Sequence, residues 1–500
     1  MNRRDIMIFV LILILAVFLR FFRLDSLPIG LTWDEAAIGY SGFGIMSVHR
    51  DEWLNKMPIV FKSFGDYKAA VAIYADAITT WIFGLDTFGI RFPMAAAGVI
   101  TTVTSYWLGL FLFKEKKYAF LLMGLLAVSP LNIHYSRMAF ESGIAVMLVT
   151  IGFTLLFYAQ KKAVLYFPAA FSLVLSFYAY HSTKIGVPLF LFVYVLAFWK
   201  IIKKQIGIIG LAGLFGAALL FPLVKEMMYG NAAARFAMTS VISTPAGLKP
   251  LPEVLSIIGE NYAKHFNLSF LLQGKTPIYR HGNNVFGILS LVEFVLMCAG
   301  IISCMQKETR KKFWWIPIFI LVAIFPAAIS DDAPHSNRVH IIIPWIQVLA
   351  VMGYIYVEKF FPKKAFLFGV VTLLLIQTAW YARIYQRVYT YDNARDFQYG
   401  YKEAVLYAKS QEGKVDKILL TSAYGQPYIY VLLYKKLTPI EYQQGALANY
   451  EIRDLKWEQD KNRKNVLIIG TPWEIPANAD HIVKEIYYPD GEVAFRIVEQ

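Results

Sequence analysis

Residues 185–224 read IGVPLFLFVYVLAFWKIIKKQIGIIGLAGLFGAALLFPLV: two apolar runs, 185–202 and 206–224, parted by Lys200, Lys203 and Lys204. Each run has about the 17–25 residues that a helix needs to cross a bilayer. Lysines in a short connection between such runs are the mark of a cytoplasmic turn. On either side, nine more runs of this kind appear, at roughly 6–22, 91–113, 118–134, 138–159, 163–180, 284–305, 313–329, 339–357 and 365–382. About eleven transmembrane helices are therefore expected, in an α-helical polytopic membrane protein. Hydrophobic residues make up 57% of the 500, and only 17% are charged. Soluble proteins carry about 45–50% and about 25%. A soluble globule, a disordered chain and a disulfide scaffold are all excluded.

The charges orient the chain. With the N-terminus cytoplasmic and the runs alternating, the inner loops hold Arg3, Arg4, Lys114, Lys116, Lys117, Lys161, Lys162, Lys200, Lys203, Lys204, Lys307, Arg310, Lys311, Lys312, Lys359, Lys363 and Lys364. The short outer turns hold Arg137, Lys184 and Arg338. This bias follows the positive-inside rule, and it accounts for the net charge of +14 without nucleic acid as a partner. The first run lacks a small-x-small cleavage site before Arg20-Phe21-Phe22-Arg23, so it reads as an uncleaved helix rather than a signal peptide. Cys298 and Cys304 lie six apart on one apolar segment and are not expected to pair.

Two domains are expected. Residues 1–382 form the transmembrane domain, with long outer loops at 23–90 and 225–283. Residues 383–500 form a small extracytoplasmic α/β domain. In the latter, 397–411 reads as an amphipathic helix, KILLTSAY (417–424) and NVLIIGTP (465–472) as buried strands, and EIYYPDGEVAFRIVE as a hairpin about Pro489-Asp490-Gly491.

Polar groups are costly in a membrane protein, so those at the outer ends of helices point to chemistry. The first outer loop holds Asp34 and Glu35 in LPIGLTWDEAAIGY, then Asp66 and Lys68 in FKSFGDYKAAVAIY. Arg91 opens the second run. Later turns supply His134, Arg137 and Glu141, then His181 and Lys184, then Asp331, Asp332, His335, Arg338 and His340. All eight histidines fall on the outer side. Carboxylates and cations from distant loops thus meet at one membrane face. Cations at headgroup depth suit a phosphate, which Arg binds bidentately. The set fits sugar transfer from a lipid-linked phosphosugar. Phosphate leaves without a general acid where cations take up its charge, and the acceptor hydroxyl needs one base. Asp34 is the expected base of a single, inverting displacement.

The chain resembles the membrane glycosyltransferases of the protein O-mannosyltransferase superfamily, which includes the aminoarabinose transferase acting on lipid A. Four pieces carry the resemblance, over roughly residues 5–360: Asp34-Glu35, the acid-x-Lys segment Asp66-Tyr67-Lys68, Arg91-Phe92-Pro93, and the Arg137 loop. Members commonly have two prolines after that lysine, where this chain has Ala69-Ala70. DDAPHSNRVHIIIP is similar to the loop before a late helix in bacterial members. The resemblance implies a GT-C fold, Asp34 as catalytic carboxylate and Glu35 as its support. It also implies Lys68, Arg137 and Arg338 on the donor phosphate, a polyprenyl-phosphate monosaccharide as donor, and a hydroxyl acceptor in the cell envelope. Lys184 joins the phosphate set by position, and Asp66, Asp332 and His335 are supporting candidates.

Plainer readings stand beside these. Asp34 and Glu35 also suit a helix N-terminus, Arg137 could pair with Glu141, and Arg91 reads as structural. Glu293 reads as paired with a neighbouring helix. No cofactor is required, but Asp34, Asp331 and His335 form the candidate set for a divalent ion. The rival functions are a transporter or lipid flippase, which would more often show repeated halves, and an oligosaccharide ligase or polymerase with a diphosphate donor.

Overall fold

The computed structural model describes residues 2–230, 239–244, 247–282 and 285–500, so the expected outer loop 225–283 lies in part outside the described residues. The first helices are α1 Arg3–Phe21, α2 Trp33–Val48, α3 Ala70–Phe83, α4 Thr87–Phe113, α5 Lys116–Val128, α6 Pro130–Ser136, α7 Ser142–Ala159, α8 Tyr166–Phe177, α9 His181–Ile202 and α10 Ile206–Tyr229. Next come α11 Leu251–His265, α12 Leu268–Gln273, α13 Leu291–Met305, α14 Lys307–Phe313, α15 Trp315–Ala328, α16 Ser336–Val339, α17 Trp345–Val357 and α18 Lys363–Arg387. The last are α19 Tyr401–Gln411, α20 Pro427–Lys435, α21 Pro439–Gln443 and α22 Trp457–Asp460. Two pairs of short strands, β1 Val60–Ser63 with β2 Asp66–Ala69 and β3 Ser243–Thr244 with β4 Gly247–Leu248, precede a sheet of β5 Lys417–Leu420, β6 Tyr450–Ile452, β7 Val466–Gly470, β8 Ile482–Tyr487 and β9 Val493–Glu499.

Each of the eleven apolar runs overlaps helix, although the described part of the run 284–305 is helical only from Leu291. Among the described residues, four helical stretches are long and apolar enough to cross a membrane: Thr87–Phe113, Ser142–Ala159, His181–Tyr229 and Lys363–Asp392. Counting each bent pair as one span raises this to seven, and α3, α8 and α13 belong to shorter apolar segments. By length and composition the count is thus four to seven, against eleven runs in the sequence. Proline explains two of the bends. A residue before proline is pushed out of the helical region. Ser129 before Pro130 and Ile343 before Pro344 are both extended, and the helices on either side meet at 54° in each case.

The chain divides into two compact units. One comprises Met1–Phe22, Asp66–Val71 and Met94–Ile384; the other comprises Arg23–Gly65, Ala72–Pro93 and Tyr385–Gln500. The first unit is a helical bundle. Phe153, Phe190, Trp315, Phe319 and Trp345, from α7, α9, α15 and α17, interlock edge to face at its core, with Phe319 and Trp345 centred 4.7 Å apart. Such pairs add to the apolar area they bury. Helices α13 and α17 cross backbone to backbone. A Cβ on Gly300 would lie 2.1 Å from the Leu349 carbonyl oxygen, and one on Gly353 would lie 1.8 Å from that of Leu296. Small residues allow such close packing between membrane helices. Glu293 begins α13 rather than lying inside it: it closes a capping box with Ser290 and accepts from Gln347 Nε2 at 3.2 Å.

The second unit is built on the five-stranded sheet, in order β6-β5-β7-β9-β8. β5 runs parallel to β6 and β7, and β9 runs antiparallel to β7 and β8. β5 and β7 are the two buried strands, and β8–β9 is the hairpin about Pro489-Asp490-Gly491. Residues 23–65 and 72–90 of the expected first outer loop belong to this unit. Ile29 N donates to Tyr389 O at 2.9 Å, Tyr430 Oη donates to Leu31 O at 2.8 Å, and Gln443 Nε2 donates to Glu52 O at 2.9 Å. Gly30, in the left-handed region at φ +76°, leaves no room for a side chain, since a Cβ would sit 2.4 Å from the Phe397 carbonyl oxygen.

Candidate active site

In the second unit, Thr32 caps α2 and Glu35 completes the box: Thr32 N donates to Glu35 Oε2 at 3.0 Å, and Glu35 N donates to Thr32 Oγ1 at 3.3 Å. The same carboxylate receives Arg91 Nε at 2.8 Å and Nη2 at 3.2 Å, with both side chains fully buried. Arg91 also donates to the carbonyls of Pro28 at 2.7 Å and Gly30 at 2.8 Å. A buried pair is tolerated when its remaining donors are satisfied in this way. Arg91 is structural, and Glu35 supports the start of the helix. Asp34, half-buried at the second position of α2, therefore sits on a fixed turn at a helix N-terminus, where the helix dipole favours a carboxylate. The backbone beside it is held by the distant part of the chain: Trp33 N donates to Gln398 Oε1 at 3.1 Å, and Tyr430 Oη reaches the same oxygen at 3.1 Å.

In the first unit, a cavity of about 490 Å³ opens at the start of α9. Its lining includes the polar side chains His181, Lys184 and Arg338 and the apolar Ile185, Ile258, Phe325 and Ile329. Lys184 Nζ donates to His181 Nδ1 at 3.3 Å. The ring's other nitrogen, Nε2, then carries the proton and donates to Tyr67 O at 3.1 Å. That bond ties the cavity to the Asp66-Tyr67-Lys68 segment, in which Lys68 is buried. Arg338 is aimed by two acceptors, Asp332 Oδ2 at 2.9 Å and Thr239 Oγ1 at 3.2 Å. Ser330 Oγ holds the other Asp332 oxygen at 2.8 Å, and His335 Nε2 lies 3.5 Å from Oδ2. The structure thus brings Lys184 and Arg338 to one cavity, with Asp332 and His335 behind the arginine. Asp331 is exposed. Asp66 turns its carboxylate back to Tyr67 N, at 2.7 Å.

Arg137 lies against the end of α1. Its Nη1 donates to Leu19 O at 3.0 Å and Arg20 O at 3.2 Å, and its Nη2 to Phe22 O at 2.8 Å. The last carbonyls of a helix need outside donors, and Arg137 supplies them to α1. Among the described residues, no group of three or more His, Cys, Asp or Glu side chains is arranged to hold a metal ion.

Several residues escaped the sequence reading. Tyr135 Oη contacts Ser336 Oγ at 2.6 Å and His281 Nδ1 at 3.1 Å, and Ser142 Oγ contacts His340 Nδ1 at 3.0 Å. His335 N donates to His265 Nε2 at 3.2 Å. The clustering of histidines on one side was the visible signal; their mutual pairing was not. In the second unit, Asp76 is fully buried, and burial together with the charge of Glu35 pushes its carboxyl well above the usual range. An acid in the middle of the apolar AVAIYADAITTWIF was its signal. Glu52 is buried too, and its carboxyl is pushed up to about 7 by burial, against an opposing bond from Tyr428.

No family model matches the chain, and no curated protein matches it in sequence. Solved structures do match in three dimensions. ArnT from Cupriavidus metallidurans bound to undecaprenyl phosphate superposes with a TM-score of 0.59 at 12% identity, over 98% of this chain and 97% of that one. The apo state of the same protein gives 0.58 at 11% identity, over the same shares. The archaeal oligosaccharyltransferase AglB from Archaeoglobus fulgidus, in complex with an inhibitory peptide and a dolichol-phosphate, gives 0.51 at 11% identity, over 99% of this chain and 74% of that one. The chain has the GT-C fold of these multi-pass membrane glycosyltransferases.

Proposed function

We propose that this chain is an integral membrane glycosyltransferase that moves a monosaccharide from a polyprenyl-phosphate donor to an extracytoplasmic hydroxyl acceptor on a protein, glycolipid or wall polymer. The observation that carries the reading is the cavity at the start of α9. Two cations and a histidine share its lining with branched apolar side chains, the combination that a phosphate with an isoprenoid tail requires. That ArnT has been seen with undecaprenyl phosphate, and AglB with a dolichol-phosphate, supports this choice of ligand.

In the proposed reaction the acceptor oxygen bonds to the anomeric carbon as the bond from that carbon to the phosphate oxygen breaks. The configuration inverts. The acceptor proton passes to the Asp34 carboxylate. The polyprenyl phosphate leaves with its charge held by Lys184 and Arg338, with Lys68 adding positive charge; Asp332 and His335 keep Arg338 in place. Arg137 acts indirectly, by fixing the end of α1. The orientation follows the charge bias, with the N-terminus cytoplasmic, and residues 383–500 outside as the second of two functional domains.

The test is transfer from a panel of radiolabelled polyprenyl-phosphate sugars by the purified protein in membranes of its native host. Transfer by the wild type that is lost in Lys184→Gln/Arg338→Gln, with thermal unfolding unchanged, supports the reading. Transfer only from diphosphate donors would favour an oligosaccharide ligase instead. No transfer or hydrolysis of either donor would return the question to transport.

A further inference from the structure

A second and larger cavity, of about 750 Å³, lies in the first unit between α1, α5 and α18. Its walls are apolar: Ile8, Leu11 and Leu15 from α1, Phe120 from α5, and Val371 and Leu374 from α18. One end is basic, with Arg4, Lys116 and Lys117 at its rim. Two acids share that rim. Asp5 accepts from Lys116 Nζ at 2.7 Å, and Glu358 accepts from Lys117 Nζ. Each ammonium has further protons to give, and Arg4 adds a full charge at an exposed position. From Lys117 to Val128 the groove follows twelve residues of α5, or about 16 Å of helix rise. That is about the half-thickness of a hydrocarbon core.

Gly124 shows that the groove is built open. It lies inside α5, where glycine costs about 1 kcal/mol relative to alanine. It faces the cavity, and a Cβ there would meet nothing within 4 Å. Unlike Gly300 and Gly353, it serves no helix crossing.

We propose that this groove is a binding site for one anionic glycerophospholipid, with its phosphate on Arg4 and Lys116 and one acyl chain along α5. The charge at the rim selects the occupant, because basic pockets between membrane helices bind anionic headgroups, whereas a zwitterionic lipid gains little there. The groove length fits a chain of one leaflet. The proposal does not depend on the transferase reading.

The experiment is native mass spectrometry of the full-length protein released from micelles containing phosphatidylglycerol, phosphatidylcholine of matched chains, or polyprenyl phosphate. The wild type is expected to retain one phosphatidylglycerol with at least fivefold preference over phosphatidylcholine. Arg4→Gln/Lys116→Gln should abolish the preference, and Gly124→Phe should abolish retention. The control Lys311→Gln/Lys312→Gln, basic but away from the groove, should retain it. Loss in the control to the same degree would overturn the site, because diffuse charge would then explain the binding. Equal retention of both phospholipids by the wild type would overturn it too, as would retention of polyprenyl phosphate that Arg4→Gln/Lys116→Gln abolishes, since the groove would then hold that lipid instead. If Gly124→Phe fails to fold, Arg4→Gln alone decides, since Arg4 is exposed at the helix end.

Discussion

At the scale of the residue, two carboxylates behave in opposite ways. Asp34 stands on a helix start that favours its charge, and Glu35 is locked by Thr32 and Arg91. Asp34→Asn keeps the shape and removes the proposed base. Transfer should fall by about 10²–10⁴-fold, the contribution typical of a general base, with thermal unfolding unchanged. Full activity in this variant would remove Asp34 from the mechanism. Glu52 is the contrary case. Its carboxyl is pushed up to about 7 by burial, whereas an unfolded glutamate titrates near about 4.3. The folded chain then binds the extra proton between these values, so stability present at low pH is lost as pH rises from about 4.3 to about 7. The total loss is of order ~3 kcal/mol. Glu52→Gln should flatten the dependence of the unfolding temperature on pH across this window. An unchanged slope would show that another group titrates there.

At the scale of the element, the loop-to-helix junctions depend on a few buried cations. Arg91 joins the start of α2 to the start of α4 through Glu35 and the carbonyls of Pro28 and Gly30. Arg91→Leu leaves the Glu35 charge buried without its partner. The expected cost is about 3–5 kcal/mol, read as a fall in the unfolding temperature. The double variant Glu35→Gln/Arg91→Leu should recover part of it. Helices α13 and α17 rest on a different device. Gly300→Leu would drive a side chain into the Leu349 carbonyl, and overpacking of this kind costs about 1–3 kcal/mol or more. Normal stability in this variant would mean that the two helices can separate without penalty.

At the scale of the whole molecule, residues 385–500 complete the first outer loop. They supply Tyr389, Gln398, Tyr430 and Gln443 to the backbone of residues 29–52. A chain ending at residue 384 should lose protection of residues 23–65 in limited proteolysis, and transfer activity with it. Protection equal to that of the full chain would show that the loop is ordered without these partners.

Much of this architecture is legible in the amino-acid sequence alone. Apolar runs place eleven helical stretches, because the length that crosses a bilayer is fixed by its thickness. Alternation and a Pro-Asp-Gly turn place the C-terminal strands, and charge asymmetry suggests an orientation. Cost arguments single out Asp34, Glu35, Lys68, Arg137, Lys184 and Arg338 alike, since polar groups at helix ends need a reason. The tertiary structure decided what each cation faces. Arg137 and Arg338 have the same local signature, a basic residue in a short outer turn, yet one closes the carbonyls of α1 and the other lines a cavity. It also decided that residues 23–65 pack with residues 385–500, that Asp331 and His335 form no metal set among the described residues, and that Gly124 opens onto a groove. The physical reason is range. Hydropathy and helix signals are local sums over neighbours in the chain, whereas a hydrogen-bond partner or an empty volume is set by residues a hundred or more positions away.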